Sequence, residues 1–432
     1  MGGLYAERDS ALKGIPVRYV MTDLAERNLE YWRAHPRLRP LVEEGSLDFA
    51  LFDAERGREL TPVVSGEPLS AGAMRNPLMV VSNYFFDSLP QDAFAVAEGR
   101  LSEMLVTVST PRREPDPEDP DILSRVEVAY DHAPADGDYY EDPAWNRILE
   151  DYSRRLPSAA FLFPVAALKC VEYFHALSGG RMLLLSGDRG YCDDEAILRG
   201  EGTPTPAVHG SFSMMVDYQA VGEYCRHLGG QVLHPAHRAE SLNVSAFLFG
   251  GPADGGFVET RQAYEEAVEK FGPDDFFTLK EGVAGVYDSL SPGQLLAFLR
   301  LSGWDHRRFL ECLHVFKRHL PELDETRKRE LGRAVRSVWD AYLPIGEEED
   351  LAFHLGTLLL EMESYAEALE FLQHSEDLYG PEPGTAYNMA VCCHGLRQTA
   401  KALEHVNRAL ELDADFDAAR ALRIKLRPSG GR

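Results

Sequence analysis

The segment Pro77–Pro90, with the sequence PLMVVSNYFFDSLP, constrains the fold more than any other part of the chain. Its apolar run ends abruptly at Asn83, and three aromatic residues and Asp87 then precede a Leu-Pro pair. An uninterrupted apolar run of this length is typical of a parallel strand that is buried on both faces. In open α/β sheets, ligands bind at the carboxyl ends of such strands. The segment therefore predicts a buried strand that opens into a ligand crevice.

Two earlier segments follow the same pattern. A predicted strand over Val17–Met21 is followed closely by Asp23, and a second over Leu47–Phe52 ends at Asp53. A helix is expected over Leu24–Ala34, between them. Strands that alternate with helices, and that each end on a polar residue, indicate a parallel sheet with crossover connections.

Further elements extend this α/β region to about residue 275. They are the predicted strands Phe94–Ala97, Leu101–Ser109, Ser124–Tyr130, Arg181–Ser186 and Val244–Phe249, and the predicted helices Val165–Leu177 and Asp217–Leu228. Acidic, proline-rich sequence near residues 111–143 is a poor core former and predicts an exposed insertion that closes over a substrate.

Only helices are predicted beyond Pro292, and residues 34 positions apart match in kind. Small residues recur where helices would touch, as at Gly356 and Ala390 or at Ala368 and Ala402. A period of 34 residues is that of stacked helix-turn-helix repeats. The segment resembles the tetratricopeptide repeat family, which implies an all-α repeat domain that binds a protein or peptide on its concave face.

We place this repeat domain at residues 346–428, after a helical connector at 290–345. Two copies, Glu349–Glu382 and Pro383–Phe416, precede a capping helix at Asp417–Leu426. Whether the connector contains diverged copies stays open at the level of the sequence.

Composition excludes several function classes. Asp and Glu number 70 against 44 Lys and Arg, a formal net charge of −26, which repels a nucleic-acid backbone. The longest apolar stretch, Phe161–Leu177, is interrupted by Pro164, Lys169 and Glu172, so no membrane span is predicted. Six scattered cysteines without metal-ligand spacing fit reduced thiols, so a cytoplasmic protein without a metal site is expected.

The strand-end residues suggest a nucleoside site, although each has a simpler alternative. Asp23 is placed to accept hydrogen bonds from both ribose hydroxyls, or it caps the helix that follows. Phe52 and Asp53 suit adenine, the ring by stacking and the carboxylate by accepting from the amino group, or Asp53 forms a turn. Asn83 and Asp87 either face one cavity or serve as a turn residue and a helix cap.

Three motifs in order resemble the MidA-type family of S-adenosylmethionine-dependent methyltransferases. Asn83–Pro90 (NYFFDSLP) is similar to the family's N-E-x-x-D-A-L-P signature. Ser178–Tyr191 (SGGRMLLLSGDRGY) is similar to its glycine-pair strand ending in D-Y-G, and Ser213–Tyr218 (SMMVDY) to its T-A-x-V-D-F segment. The resemblance spans about Gly2 to Gly250 and implies a Rossmann-like class I methyltransferase sheet that binds S-adenosylmethionine.

The resemblance also implies roles for individual residues. Asp23, Asp53 and Asn83 would line the methyl-donor pocket, beside Phe52, and Asp87 would lie near the reacting end. Where the family has an acid after the Asn, this chain has Tyr84, so arginine is doubtful as the methyl acceptor.

Two further departures concern the family pattern around the pocket. Asp188 is displaced relative to D-Y-G and receives no role. The family's first strand and its glycine loop are absent, although Gly2 and Gly3 match the end of that loop. A sheet without this central strand would leave buried backbone groups unpaired, each at a cost of about 1–3 kcal/mol. We therefore expect Met1 to be an internal methionine of a longer protein.

Methyl transfer requires a base only when the acceptor keeps its proton, and Asp87 and His209 are the candidates, with a loop role as the alternative for His209. Two functions stay open at this stage. The chain is a methyltransferase acting on a protein recruited by its repeats, or it is a catalytically degenerate scaffold whose repeats bind proteins.

Overall fold

The structure, a computed structural model, describes residues 17–56, 60–72, 74–114, 116, 119, 121–135, 137–208, 212–251 and 256–427. These residues divide into two compact units, one ending at Leu279 and the other beginning at Lys280. The first is an α/β unit and the second is all-helical, so the chain has the predicted fold class. Among the described residues, no helix is long and apolar enough to cross a bilayer.

Every strand that the structure describes belongs to the first unit. In chain order they are β1 Tyr19–Asp23, β2 Leu47–Leu51, β3 Leu78–Asn83, β4 Asp92–Ala97, β5 Arg100–Ser109, β6 Glu127–Pro134, β7 Ser158–Phe163, β8 Met182–Asp188, β9 Gly190–Tyr191, β10 Ala207–Val208, β11 Phe212–Ser213, β12 Val216–Asp217, β13 Gln231–Leu233 and β14 Asn243–Leu248.

The predicted parallel strands form two separate sheets. β1 pairs in parallel with β2, whereas β3 pairs in parallel with β8 within a four-stranded sheet of order β13-β14-β8-β3. Within the described ranges, β1 and β3 each have a single strand partner, so each keeps one unpaired edge. On β3, Met79 is 61% exposed and Val81 is 56% exposed. The apolar run of β3 is therefore buried on one face only, although it predicted burial on both.

The acidic, proline-rich segment is partly a strand. β6 pairs antiparallel with β5 from Ser102–Pro134 to Ser109–Glu127, in a second four-stranded sheet of order β6-β5-β4-β7. The predicted strand Ser124–Tyr130 is thus shifted towards the carboxyl terminus. Non-local pairing with β5 determines its position, which local composition does not reveal.

The described helices of the α/β unit lie between its strands and after them. They are α1 Glu26–Ala34, α2 Arg39–Glu43, α3 Pro143–Arg155, α4 Val165–Leu177, α5 Asp194–Leu198, α6 Tyr218–His227, α7 Val258–Tyr264 and α8 Pro273–Ala284. Asp217 caps α6 by accepting a hydrogen bond from the Ala220 amide at 2.9 Å. The core joins α3, α4 and α6 to β4, β7 and β8 and includes the fully buried side chains of Tyr152, Phe161 and Tyr218.

The second unit is a series of antiparallel helices. They are α9 Pro292–Leu301, α10 His306–His319, α11 Glu325–Ala341, α12 Leu351–Glu361, α13 Tyr365–Tyr379, α14 Pro383–Gly395, α15 Thr399–Leu412 and α16 Asp417–Leu426. The two helix pairs α12–α13 and α14–α15 repeat at 34 residues, as the sequence period predicted. At Gly356 an added Cβ would lie 2.9 Å from the Leu372 side chain, which explains the small residue there.

Candidate functional site at the end of β3 and β8

The carboxyl ends of β3 and β8 lie side by side. Asn83 is in register with Gly187, and the Tyr84 amide donates a hydrogen bond to the Gly187 carbonyl at 2.9 Å. A Cβ at Gly187 would lie 3.1 Å from Asn83 Oδ1, so the glycine lets the Asn83 side chain lie directly against β8. The exposed Asn83 therefore projects from the edge where a ligand of a parallel sheet would bind.

Tyr84, the next residue, has a strained backbone. Its φ is +50°, in the left-handed region that a non-glycine aromatic residue rarely adopts. The strain turns the chain sharply from β3 into the 3₁₀ turn Phe86–Ser88. Its side chain is 52% exposed, and burial, Asp188 and Asp87 all raise the pKa of its phenol. Strained residues of this kind cluster at functional sites.

Asp87 lies within the 3₁₀ turn and is only 6% exposed. Burial raises the pKa of its carboxyl group, and the charge of Arg189 acts in the opposite direction. The Met214 amide donates to the Asp87 carbonyl oxygen at 2.8 Å, which fixes the turn against the chain before β12. A buried carboxyl group with a raised pKa is the kind of group that accepts and releases protons in catalysis.

Asp188, at the end of β8, is fully buried and holds the same turn. Its carboxylate accepts hydrogen bonds from the Phe85 amide at 2.7 Å and from the Tyr218 hydroxyl at 2.9 Å. The Phe86 amide lies 3.4 Å from the second carboxylate oxygen. Burial raises the pKa of Asp188 to about 6, against the effect of these donors.

A chain of hydroxyl groups leads from β3 to Asp188. The Ser82 hydroxyl donates to Ser186 Oγ at 2.9 Å, and Ser186 Oγ is 2.8 Å from the Tyr218 hydroxyl. All of these side chains are buried. Polar groups buried together and hydrogen-bonded to one another specify a single local geometry.

At the end of β1, the Asp23 carboxylate is engaged by its own chain. Oδ1 accepts from the Ala25 amide at 2.8 Å, and Oδ2 accepts from the Asn28 side-chain amide at 2.9 Å. Asp23 therefore forms a local turn ahead of α1, whose N-cap is Ala25 without a side-chain cap, so the interpretation of Asp23 as the helix cap is not confirmed. A carboxylate has about four acceptor positions, so these two bonds leave capacity for a further donor.

At the end of β2, Asp53 forms a turn and Phe52 is a core residue. Asp53 Oδ1 accepts from the Glu55 and Arg56 amides, both at 3.1 Å. Phe52 is 6% exposed and packs against the rings of Phe174, Tyr173 and Phe85, with centroids 5.1, 5.8 and 6.3 Å away. The expectation that Phe52 stacks on adenine is corrected, because neighbouring rings already surround it.

The structure connects the three strand ends only in part. The Phe52 amide donates to the Asp23 carbonyl at 3.0 Å, which joins the ends of β1 and β2, and the Phe52–Phe85 contact links them to the turn after β3. That Asp23, Asp53 and Asn83 face one hollow stays a prediction. Gly2, Gly3 and His209, which the sequence also suggested, lie outside the described residues.

Two buried acids, Asp188 and Asp217, were not predicted from the sequence to have a role. Asp188 received no role, although it follows an apolar strand just as Asn83 does. Asp217 is fully buried, accepts from the Tyr152 hydroxyl at 3.0 Å, and has a pKa raised by burial to about 7. The signal in both cases is an acid at the end of an apolar run, and only the fold shows which partners it meets.

A cleft of about 520 Å³ lies elsewhere in the unit, between α3, α5 and α6. Arg155 crosses it, with its guanidinium 2.6 Å from Glu223 and 3.4 Å from Asp194. None of the predicted site residues lines this cleft. In the parts of the chain that are described, no group of three or more side chains has an arrangement that would hold a metal ion.

Comparisons with known proteins give two distant structural likenesses. No family model and no curated protein matches the chain. YrrB, a tetratricopeptide repeat protein with an unusual peptide-binding site, is 19% identical over 38% of this chain and 80% of its own, with a TM-score of 0.27. A candidate methyl transferase from Burkholderia thailandensis, bound to S-adenosyl-homocysteine, is 14% identical over 59% of this chain and 69% of its own, with a TM-score of 0.34. At these TM-scores neither likeness carries an argument about function.

Proposed function

We propose that the α/β unit binds S-adenosylmethionine and acts as a methyltransferase of the MidA type, with the reacting end at the carboxyl ends of β3 and β8. The observation that carries the proposal is the strained turn after β3. There Asn83 is exposed at the sheet edge, Tyr84 has a left-handed backbone, and the carboxyl group of Asp87 is buried with a raised pKa. The three motifs that resemble the family support the choice of cofactor.

In this proposal the donor's nucleoside part contacts Asp23 and Asp53, which retain acceptor capacity, and Asn83 contacts the part nearer the methyl group. Phe52 contributes packing rather than stacking, because it is surrounded by aromatic rings. We also propose that Gly2 and Gly3 contact S-adenosylmethionine through their backbone amides.

S-adenosylmethionine, when bound, supplies a sulfonium methyl group for in-line transfer to an acceptor atom. The protein's part is to align the two reactants, to exclude water, and to take up a proton that the acceptor loses. Asp87 is the proposed acceptor of that proton. Tyr84 offers no carboxylate to hold a guanidinium, so an acceptor other than arginine suits this site better.

We further propose that the repeat unit recruits a protein or peptide substrate. Phe353 and Thr357 on α12 are half-buried, as are their counterparts 34 residues later on α14, Tyr387 and Val391. Equivalent positions on the first helix of consecutive repeats line the same face of the stack. The Tyr387 ring also packs against Phe416, with centroids 5.2 Å apart, so the row presents only parts of two aromatic rings, a threonine and a valine. We propose that this row contacts an extended peptide with apolar side chains.

Calorimetric titration with S-adenosylhomocysteine tests the proposal. We expect binding to the wild-type chain, and loss of binding in Asp23→Ala and Asn83→Ala. Ser153→Ala is the matched control, because its hydroxyl bonds only to the Glu150 carbonyl at 2.8 Å within α3. Absence of binding to the folded wild-type chain would reject the proposed activity.

A second candidate function is that of a scaffold without turnover. The separation of β1 and β3 into two sheets, and the engagement of Asp23 and Asp53 by their own turns, favour this alternative. A scaffold would bind peptides through its repeats and would show no heat with S-adenosylhomocysteine, so the same titration separates the two functions.

A further inference from the structure

We propose that Asp188 is a positioning residue that fixes the turn carrying Tyr84 and Asp87 at the end of β3. This inference rests on the proposed function for its significance, and it concerns an acid to which the family resemblance assigned no role. It follows from the contacts of Asp188 with the turn after β3, with α6 and with a neighbouring residue of its own strand, β8.

The first step is the contact with the turn itself. After β3 the chain leaves the sheet, so the amides of Phe85 and Phe86 lose the strand partners that they would have in a longer strand. Asp188 replaces those partners, with Oδ1 2.7 Å from the Phe85 nitrogen and Oδ2 3.4 Å from the Phe86 nitrogen. One carboxylate thus satisfies the buried donors of the segment that leads into Asp87.

The second step is that the turn requires an external restraint. Tyr84 has a φ of +50°, and a conformation of this kind persists only when the surrounding structure imposes it. Two bonds hold Tyr84 between them. Its own amide donates to the Gly187 carbonyl at 2.9 Å, and the next amide, that of Phe85, donates to Asp188. Both acceptors belong to the last two residues of β8.

The third step is that Asp188 is itself held in place. The Tyr218 hydroxyl on α6 donates to its Oδ2 at 2.9 Å, and the Ser186 hydroxyl lies 3.3 Å from the same oxygen. A fully buried carboxylate with donors on both oxygens has one orientation available. Burial raises its pKa, as does the nearby charge of Asp87, so the two acids are close enough to influence each other.

Hydrogen exchange of the full chain, followed by mass spectrometry on peptides covering residues 83–90, tests the inference without any ligand. Asp188→Asn keeps one acceptor oxygen but places an NH₂ group where a carboxylate oxygen stood. We expect the Phe85 amide to exchange at least ten-fold faster. Asp142→Asn is the matched control, since it removes a carboxylate oxygen that accepts from the Ala144 amide at the start of α3, outside the proposed site, and should leave exchange of the Phe85 amide unchanged.

A second readout separates positioning from a purely structural role. The pKa of the Tyr84 phenol is raised partly by Asp188, so Asp188→Asn is expected to lower it. Carbon-13 NMR of labelled tyrosine measures this, with Tyr84 assigned by Tyr84→Phe. The affinity for S-adenosylhomocysteine is expected to fall about ten-fold in the same variant.

The exchange rate of the Phe85 amide and the affinity for S-adenosylhomocysteine together decide whether the inference holds. The inference would be overturned if the Phe85 amide of Asp188→Asn exchanged at the wild-type rate. It would also be overturned if this amide exchanged faster while the affinity for S-adenosylhomocysteine stayed unchanged. If the wild-type chain does not bind the donor, the proposed function fails, but exchange and the Tyr84 titration still decide the role of Asp188. If Asp188→Asn does not fold, Tyr218→Phe removes one donor from Asp188, and an unchanged Phe85 rate there would overturn the inference.

Discussion

Two pairs of strand ends in the α/β unit look alike in sequence and differ in structure. At the ends of β1 and β2, the carboxylates of Asp23 and Asp53 accept bonds from amides within a few residues along the chain. At the ends of β3 and β8, Asp188 accepts from residues about 100 positions earlier in the chain and is fully buried. The first pair closes local turns, whereas the second joins segments that are distant along the chain.

An acid that follows an apolar strand in the sequence can therefore belong either to a local turn or to a ligand site. Local turn formation explains Asp23 and Asp53 without any ligand. Only at the β3–β8 end do strain at Tyr84, burial of Asp87 and long-range hydrogen bonds to Asp188 occur together. This combination costs stability, which natural proteins accept mainly at functional sites.

The largest expected effect is a pH dependence at the β3–β8 end. Asp188 has a pKa of about 6 in the folded protein, above its ordinary value of 3.8. The folded state binds the proton of Asp188 more tightly than the unfolded state does. Protonation of Asp188 therefore stabilises the fold fully below pH 3.8, and this stabilisation is lost as the pH rises through 6. The difference between the two pKa values corresponds to about 3 kcal/mol in the free energy of unfolding. Urea unfolding measures the free energy of unfolding of wild type and of Asp188→Asn at pH 4 and pH 7.5. Between these pH values, wild type should lose about 3 kcal/mol more than the variant does. The same difference between the two proteins at both pH values would contradict a raised pKa of Asp188.

The next effect compares one hydrogen-bond donor at the β3–β8 end with one at the β1 end. Tyr218→Phe removes the hydroxyl that donates to Asp188, and the carboxylate left short of a donor should lower the free energy of unfolding by about 2 kcal/mol. Asn28→Ala removes the side-chain donor to Asp23 on a partly exposed helix, and should cost about 0.5 kcal/mol. Urea denaturation measures both. Equal losses would remove the distinction between the two ends.

A smaller effect of opposite sign is expected at Tyr84. Tyr84→Gly relieves the left-handed backbone, so the free energy of unfolding should rise by up to about 1 kcal/mol. If the turn forms part of the proposed binding site, the affinity of Tyr84→Gly for S-adenosylhomocysteine should fall at the same time. A variant that loses stability instead would show that the Tyr84 ring contributes packing that outweighs the strain.

The smallest effect is expected at Asp53. Asp53→Ala removes an acceptor for two amides in a solvent-accessible turn, where water replaces the lost bonds. We expect a loss of about 0.5 kcal/mol in thermal or urea unfolding. A loss several times larger would mean that the β2 end also depends on Asp53 for more than its local turn.

How far the sequence predicted this structure depends on how local each feature is. Helix α4 and the terminal helix α16 have their predicted bounds, because apolar patterning and flanking glycine or aspartate define them locally. Strand β7, with the sequence SAAFLF, was missed because it directly precedes Pro164 and α4 within one apolar stretch. Its identity as a strand depends on pairing with β4.

The candidate site was predictable to a similar degree. Asn83 and Asp87 were identified from the motif around them, and the structure places both at the β3 end. Phe52 was assigned to ligand stacking because sequence does not show that Tyr173 and Phe174, over 100 residues away, surround it. Asp188 received no role because it is displaced from the family motif, and its partners Phe85 and Tyr218 are distant along the chain.

The central claim is that the β3–β8 end is where the methyl donor binds. Hydrogen exchange with and without saturating S-adenosylhomocysteine tests it most directly, because it maps the contact onto the chain. We predict slower exchange in peptides covering residues 83–88 and 22–25, with little change in α9 to α16. Protection confined to other segments, or no protection at any ligand concentration, would contradict the claim.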